Sequence, residues 1–76
     1  MTAAELRQHI KARPFRPFTI HVADGRAIPV AHHDFILVSP SGQLVYVFQP
    51  DDSHDILDMV LITGIGFGPQ PAQTSS

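Results

Sequence analysis

The residue types with the greatest potential for chemistry in this sequence are its five histidines, two of which precede a carboxylate. His33-Asp34 and His54-Asp55 offer imidazole and carboxylate ligands of the kind that bind zinc. His32 adjoins the first pair, but successive residues of a strand point to opposite faces. His32 and His33 can therefore bind one ion only where the backbone is irregular. Since no two histidines have the i, i+4 spacing of a helical site, we predict no metal site and no cofactor.

Groups suited to covalent catalysis are missing from the sequence. There is no cysteine, and no Gly-x-Ser-x-Gly motif positions a serine nucleophile. The glycine run at residues 64–68 has no helix after it, so it does not form a phosphate-binding loop. Three serines stand in predicted turns, where serine is common (Ser39, Ser41 and Ser53). We therefore predict that the protein is not an enzyme.

Positive charge is concentrated at the N-terminus. Residues 1–16 contain four cations and one carboxylate, whereas residues 17–76 contain one cation and six carboxylates. Such an asymmetry suits an anionic partner, such as RNA, or the acidic body of a second copy. The simplest interpretation is a solvated helix face. The four cations are Arg7, Lys11, Arg13 and Arg16.

The sequence also bears on where the protein works. No stretch approaches the roughly 20 apolar residues that cross a membrane. The charged N-terminal segment lacks the apolar core of a signal peptide, and the absence of cysteine fits a reducing compartment. We expect a cytoplasmic protein that does not contact membranes.

The elements that position these residues begin with a helix over about residues 3–12. Thr2 and Glu5 have the spacing of a capping box. Pro14 ends the helix because the residue before a proline avoids the α region. Leu6 and Ile10 form a narrow apolar stripe. Because so short a helix is not stable in isolation, we expect this stripe to dock on the rest of the domain.

Two β-hairpins follow, and each is predicted to have a three-residue loop that ends in glycine. In the first loop, residues 23–25, the glycine takes the left-handed position of a G1 bulge. A two-residue turn would instead place the apolar residues of the two strands on opposite faces. The three-residue loop pairs Ile20 with Ile28 and Phe18 with Val30.

The second hairpin has the same turn chemistry. Its loop covers residues 40–42, where proline suits the first position and glycine the third. The pairs on one face are Val38 with Leu44 and Ile36 with Tyr46, and the pairs on the other face are Leu37 with Val45 and Phe35 with Val47.

The C-terminal part of the chain begins with an apolar run at residues 56–65. This run predicts either one strand with a bend near Asp58 or a short strand, a 3₁₀ turn and a second strand. Residues 68–76 have nothing to bury and are expected to be disordered. The predicted domain therefore covers residues 1–67.

Three strand segments, at residues 35–38, 44–48 and 59–65, are apolar on both faces. A sheet that is covered on one side only should alternate apolar and polar residues. The sheet can curl into a small barrel, its second face can pack against another copy, or both can occur together. The predicted fold class is mainly β (α+β), with a short N-terminal helix before about five antiparallel strands in a small curled sheet or barrel. We expect a homo-oligomer.

Several local motifs occur together over roughly residues 2–66. They are the capped helix ending in Arg13-Pro14-Phe15-Arg16-Pro17-Phe18, the turn Asp24-Gly25-Arg26, the step His33-Asp34-Phe35 and the closing Leu61-Ile62-Thr63-Gly64-Ile65. In these motifs the chain resembles a family of short uncharacterised bacterial proteins. In its order of helix, basic connector and bent strands it is similar, more weakly, to Sm-like proteins, in particular the bacterial RNA chaperone of that class. That similarity implies an SH3-like barrel, a ring oligomer and RNA bound near the turns. The chain departs from the Sm-like pattern at Pro29-Val30-Ala31, where a glycine is expected.

Two functions are consistent with these features. The first is a protein-interaction or self-association module. Its candidate residues are Phe35, Leu37, Val45 and Val47, or the complementary set with Ile36, Val38 and Tyr46. The second is RNA binding by Arg7, Lys11, Arg13 and Arg16, with Phe15 as a stacking surface. We favour the first because the β part contributes one cation only, and we expect Val45→Lys to give a folded monomer if the first set is exposed.

Overall fold

The computed structural model describes residues 1–67, which contain one helix and six strands. The disorder that we expect at residues 68–76 lies outside the described residues. Within residues 1–67, no helix is long and apolar enough to span a bilayer. The elements are α1 (Ala3–Lys11), β1 (Phe18–Val22), β2 (Ala27–Val30), a 3₁₀ turn (His33–Phe35), β3 (Ile36–Val38), β4 (Leu44–Phe48), β5 (His54–Asp58), a second 3₁₀ turn (Met59–Leu61) and β6 (Ile62–Phe67).

Helix α1 forms as predicted, with the capping box in place. The Glu5 amide donates to Thr2 Oγ1 at 3.2 Å, and the Thr2 amide donates to Glu5 Oε1 at 3.0 Å. The Thr2 amide, and after it the Thr2 hydroxyl at 3.2 Å, donate to the Glu5 carboxylate and hold the pKa of Glu5 below its ordinary value. Leu6 is fully buried and Ile10 packs against the core, so the apolar stripe docks the helix as expected.

The first sheet has the strand order β2-β1-β6 and contains the first hairpin in its predicted register. Phe18 lies opposite Val30, and Ile20 lies opposite Ile28. The Val22 amide donates to the Arg26 carbonyl at 3.0 Å across the three-residue loop. Gly25 has a φ of +94°, the left-handed conformation that this loop requires. The prediction for this hairpin is confirmed.

The second sheet has the strand order β3-β4-β5, and here the predicted register is wrong by one residue. Ile36 lies opposite Val47, and Val38 lies opposite Val45. The loop has four residues, 40–43, because the Ser39 Oγ accepts the Leu44 amide at 3.0 Å and the Ser39 amide donates to the Leu44 carbonyl at 2.9 Å. The shift moves every β4 side chain to the opposite face from the one predicted.

The apolar run at residues 56–65 follows the second of the two predicted alternatives. β5 ends at Asp58, the turn Met59–Leu61 follows it, and β6 then pairs with β1 in the other sheet. The Asp58 carboxylate accepts the Val60 amide at 3.1 Å and so begins the turn. The run thus contributes one strand to each sheet.

The predicted fold class, mainly β with a short N-terminal helix and antiparallel strands, is confirmed. The finer expectation of one curled sheet or closed barrel is corrected: among residues 1–67 there are two three-stranded sheets. Their buried faces and the stripe of α1 enclose a single apolar core. Its members are Leu6, Phe18, Ile20, Val22, Ile28, Val30, Ile36, Val45, Val47, Leu57, Met59 and Ile62.

Candidate functional site

The sheet β3-β4-β5 has an apolar face that points away from the core. The register places Leu37, Tyr46 and Ile56 side by side across the three strands. Leu37 is 62% exposed and Ile56 is 54% exposed, so water reaches a large aliphatic side chain at each end of this row. Leu44 and Phe48 lie on the same face, two residues before and after Tyr46 on β4, and both are exposed. We call these five residues the outer face.

The outer face differs from the predicted association sets. Val45 and Val47 are 0% exposed because the one-residue shift of β4 turns them into the core. Of the predicted set Phe35, Leu37, Val45 and Val47, only Leu37 is fully on the surface, and Phe35 is half-buried in the first 3₁₀ turn. In the complementary set, Ile36 is buried, Val38 is half-buried, and Tyr46 belongs to the outer face. Each predicted set therefore contributes one residue to the outer face.

Three outer-face residues, Leu44, Phe48 and Ile56, were missing from the predicted association sets. Ile56 could have been found from the sequence, because it stands between Asp55 and Leu57 in a strand whose other apolar residue must face the core. Leu44 and Phe48 depend on the hairpin register, which is decided by the Ser39 hydroxyl.

The two long edges of the outer face carry opposite charge. Helix α1 runs beside β3, and a groove between them is lined by Arg7, Ile10 and Lys11 on one side and by residues 36–38 on the other. On the opposite edge, β5 ends in Asp58, which is exposed and lies across from Leu44. A cationic edge, an apolar centre and an anionic edge thus follow one another across the sheet.

Three of the four N-terminal cations make contacts within the domain. Arg7 donates from Nη2 to the Ser39 carbonyl at 2.8 Å and so ties α1 to the second hairpin. Arg13 donates from Nη1 to the carbonyls of Ile10 and Ala12, at 3.0 and 2.9 Å, and closes the end of the helix. The guanidinium of Arg16 lies 4.3 Å from the centre of the Phe67 ring.

The Lys11 side chain is exposed, and it forms no hydrogen bond or ion pair with any of residues 1–67. Phe15, the predicted stacking residue, is half-buried against Phe18, with ring centres 5.7 Å apart. One face of the Phe15 ring is therefore already occupied.

Two carboxylates in the loops accept hydrogen bonds from residues two positions further along the chain. The Arg26 amide and guanidinium both donate to the Asp24 carboxylate, at 3.0 and 2.8 Å. The hydrogen bond from the amide is the main reason why the pKa of Asp24 lies below its ordinary value. The Ser53 hydroxyl and amide donate to Asp51 and lower its pKa in the same way. These bonds shape turns, so we assign them no chemistry.

The histidine cluster at residues 32–34 contradicts the reason for which a metal site was predicted to be absent. His33 and Asp34 lie in a 3₁₀ turn with His32 as its N-cap, and not in a strand. The irregular backbone brings one potential ligand atom of each residue within 4.8 Å of the others. His54 lies apart from this cluster, on β5, with its ring 5.6 Å from that of Phe48.

Comparison with protein-family models, with curated proteins and with solved structures found no match for this chain.

Proposed function

We propose that this protein is a non-enzymatic self-association module, and that the outer face of β3-β4-β5 is its interface with a second copy. The supporting observation is the row of Leu37, Tyr46 and Ile56, in which the aliphatic side chains on the two outer strands are more than half exposed. Burying such side chains releases about 25 cal/mol for each Å² removed from water. A contiguous apolar patch on a small domain is typical of an interaction site.

The charges at the edges favour a second copy as the occupant. The outer face has Arg7 and Lys11 on its β3 edge and Asp58 on its β5 edge. A surface that carries both signs on opposite edges is complementary to itself after a two-fold rotation. A partner of uniform charge would match one edge and repel the other.

The same charges select the direction of the two-fold axis. Two sheets that pack face to face are related by an axis in the plane of the interface. An axis parallel to the strands places the β3 edge of one copy, with Arg7 and Lys11, over the β5 edge of the other, which ends in Asp58. An axis perpendicular to the strands places β3 over β3 and brings the two cationic edges together. Like charges across an interface are unfavourable, so the parallel axis is preferred.

The size of the face sets the expected strength of association. Three strands span about 10 Å, since neighbouring strands lie roughly 4.8 Å apart. An interface of this width is at the small end of the range for specific complexes. We therefore expect a dimer that dissociates on dilution.

Single-stranded RNA is the alternative partner. Arg7, Lys11, Arg13 and Arg16 carry charge that no carboxylate among residues 1–67 neutralises. However, Arg7, Arg13 and Arg16 are held by contacts within the domain, and Phe15 packs on Phe18. These contacts favour a structural role for the cations, so we argue for the protein interface.

The experiment is analytical ultracentrifugation of the full chain and three lysine variants over a wide concentration range. Ile56→Lys places a charge on the outer face and should give a folded monomer. Ala27→Lys adds the same charge to an exposed position of the other sheet and should associate like the wild type. Val45→Lys inserts a charge into the core and should unfold, since Val45 has no exposed surface.

A wild-type chain that stays monomeric at the highest concentration would refute the proposal, as would an Ile56→Lys variant that associates normally. Circular dichroism shows whether each variant is folded. Titration of a labelled single-stranded RNA at low and high salt tests the alternative. Binding that falls steeply with salt in a monomeric protein would favour RNA over self-association.

A further inference from the structure

A second candidate site lies at the first 3₁₀ turn, away from the outer face. It consists of His32, His33 and Asp34, three consecutive residues with side chains of the types that bind transition metals. In an extended strand their side chains would alternate between faces. Here the turn His33–Phe35 brings one potential ligand atom of each residue within 4.8 Å of the others.

The Asp34 carboxylate lies between the two imidazoles. Its Oδ1 is 3.1 Å from His33 Nδ1, and its Oδ2 is 3.5 Å from His32 Nδ1. Two ligands of a tetrahedral zinc ion are about 3.3 Å apart, given metal–ligand distances near 2.05 Å. The separations between the carboxylate and each imidazole are therefore already close to those that a metal ion requires.

Two short contacts also hold His32 beside the carboxylate. The Asp34 amide donates to His32 Nδ1 at 3.3 Å, and the same nitrogen lies 3.5 Å from Asp34 Oδ2. A cation between the two would be attracted by both. A metal ion there would displace the hydrogen bond from the Asp34 amide to His32 Nδ1. That hydrogen bond is longer than usual and exposed, so water can take its place.

Phe15 holds the two imidazole rings in place. Its ring centre is 5.9 Å from that of His33 and 6.2 Å from that of His32, and the two histidine rings are 4.2 Å apart. Phe15 itself packs against Phe18 of the core. The ligand rings are thus supported from the interior, while the carboxylate is exposed on the solvent side.

We propose that His32, His33 and Asp34 bind one divalent transition-metal ion of the zinc type, with water in the remaining coordination positions. Two imidazoles and one carboxylate form a donor set that zinc accepts. Because the three ligands adjoin one another in sequence and lie at the surface, we expect micromolar affinity. The proposal is independent of the outer face and of self-association.

The test is isothermal titration calorimetry of the full chain with zinc chloride, combined with NMR of the histidine side chains. We expect one zinc ion per chain and selective shifts of His32 and His33. His33→Ala and Asp34→Asn should each raise the dissociation constant at least about tenfold. His54→Ala is the matched control because it removes an exposed histidine from outside the cluster, and it should leave affinity unchanged.

The proposal would be overturned if the wild type does not bind zinc at millimolar concentration, or if His33→Ala and His54→Ala weaken binding equally. Asp34→Asn preserves the size of an exposed side chain, so it decides the matter even if His33→Ala fails to fold.

Discussion

The two glycines in the hairpin loops differ in the space available for an added β-carbon. Gly25 has a φ of +94° and Gly42 a φ of +78°, so alanine would be strained at either position. A β-carbon at residue 25 meets nothing within 4 Å, whereas one at residue 42 would lie 2.9 Å from Ala3 Cβ on helix α1. We expect Gly25→Ala to lower the free energy of unfolding by about 1 kcal/mol and Gly42→Ala to lower it by clearly more.

Urea denaturation of the two glycine variants measures this difference. A Gly42→Ala/Ala3→Gly double variant serves as the control, because it removes the close contact and keeps the strained backbone. Equal losses for the two single variants would mean that the helix gives way without cost.

At the scale of the element, helix α1 depends on one fully buried side chain. The helix has nine residues, fewer than an isolated helix needs for stability, and Leu6 has no exposed surface. We expect Leu6→Ala to destabilise the domain by about 2–5 kcal/mol and to release α1 from β3. Denaturation measures the loss of stability, and hydrogen exchange of the α1 amides measures the release.

Thr2→Ala is the comparison for the helix, because it removes the capping bond and leaves the packing intact. It should cost about 1 kcal/mol and cause little increase in exchange beyond the first turn. If both variants release the helix equally, then the cap contributes as much as the packing of Leu6, and the dependence on one buried side chain is wrong.

At the scale of the whole molecule, the direction of the two-fold axis in the proposed dimer determines whether removing the charge of Lys11 weakens or strengthens dimerisation. If the two-fold axis is parallel to the strands, the edge that carries Lys11 lies over the edge of the other copy that ends in Asp58, and Lys11→Gln should weaken dimerisation, by at most about two- to fivefold, the range of an exposed ion pair. If the axis is perpendicular, the two cationic edges meet, and the same variant should strengthen dimerisation. Sedimentation equilibrium distinguishes the two outcomes.

Asp58→Asn provides the partner measurement in that experiment. Asparagine is as good an N-cap as aspartate, so the bond to the Val60 amide can persist while the charge is removed. For the parallel axis, Asp58→Asn should also weaken dimerisation, because it removes the negative charge that the cationic edge of the other copy approaches.

Local patterns in the sequence account for a good part of this fold. Thr2 and Glu5 predicted the helix start, and Gly25 predicted the loop and register of the first hairpin, because each depends on residues a few positions apart. The predicted register of the second hairpin was wrong by one residue, because a proline and a glycine at these positions fit a three-residue loop and a four-residue loop equally well. A hydrogen bond from Leu44 to the Ser39 hydroxyl decides between them. The one-residue shift in register places Val45 in the core and Tyr46 on the outer face.

The sequence by itself therefore determined the capped helix, the antiparallel strands and an excess of apolar residues that one buried face cannot absorb. Only the tertiary structure decided which apolar residues remain exposed and that His32, His33 and Asp34 converge. The physical reason is that both outcomes depend on backbone geometry between neighbours in space: a strand register in one case and a 3₁₀ turn in the other. Composition and spacing constrain the number of apolar and ligand residues, but not the direction in which each side chain points.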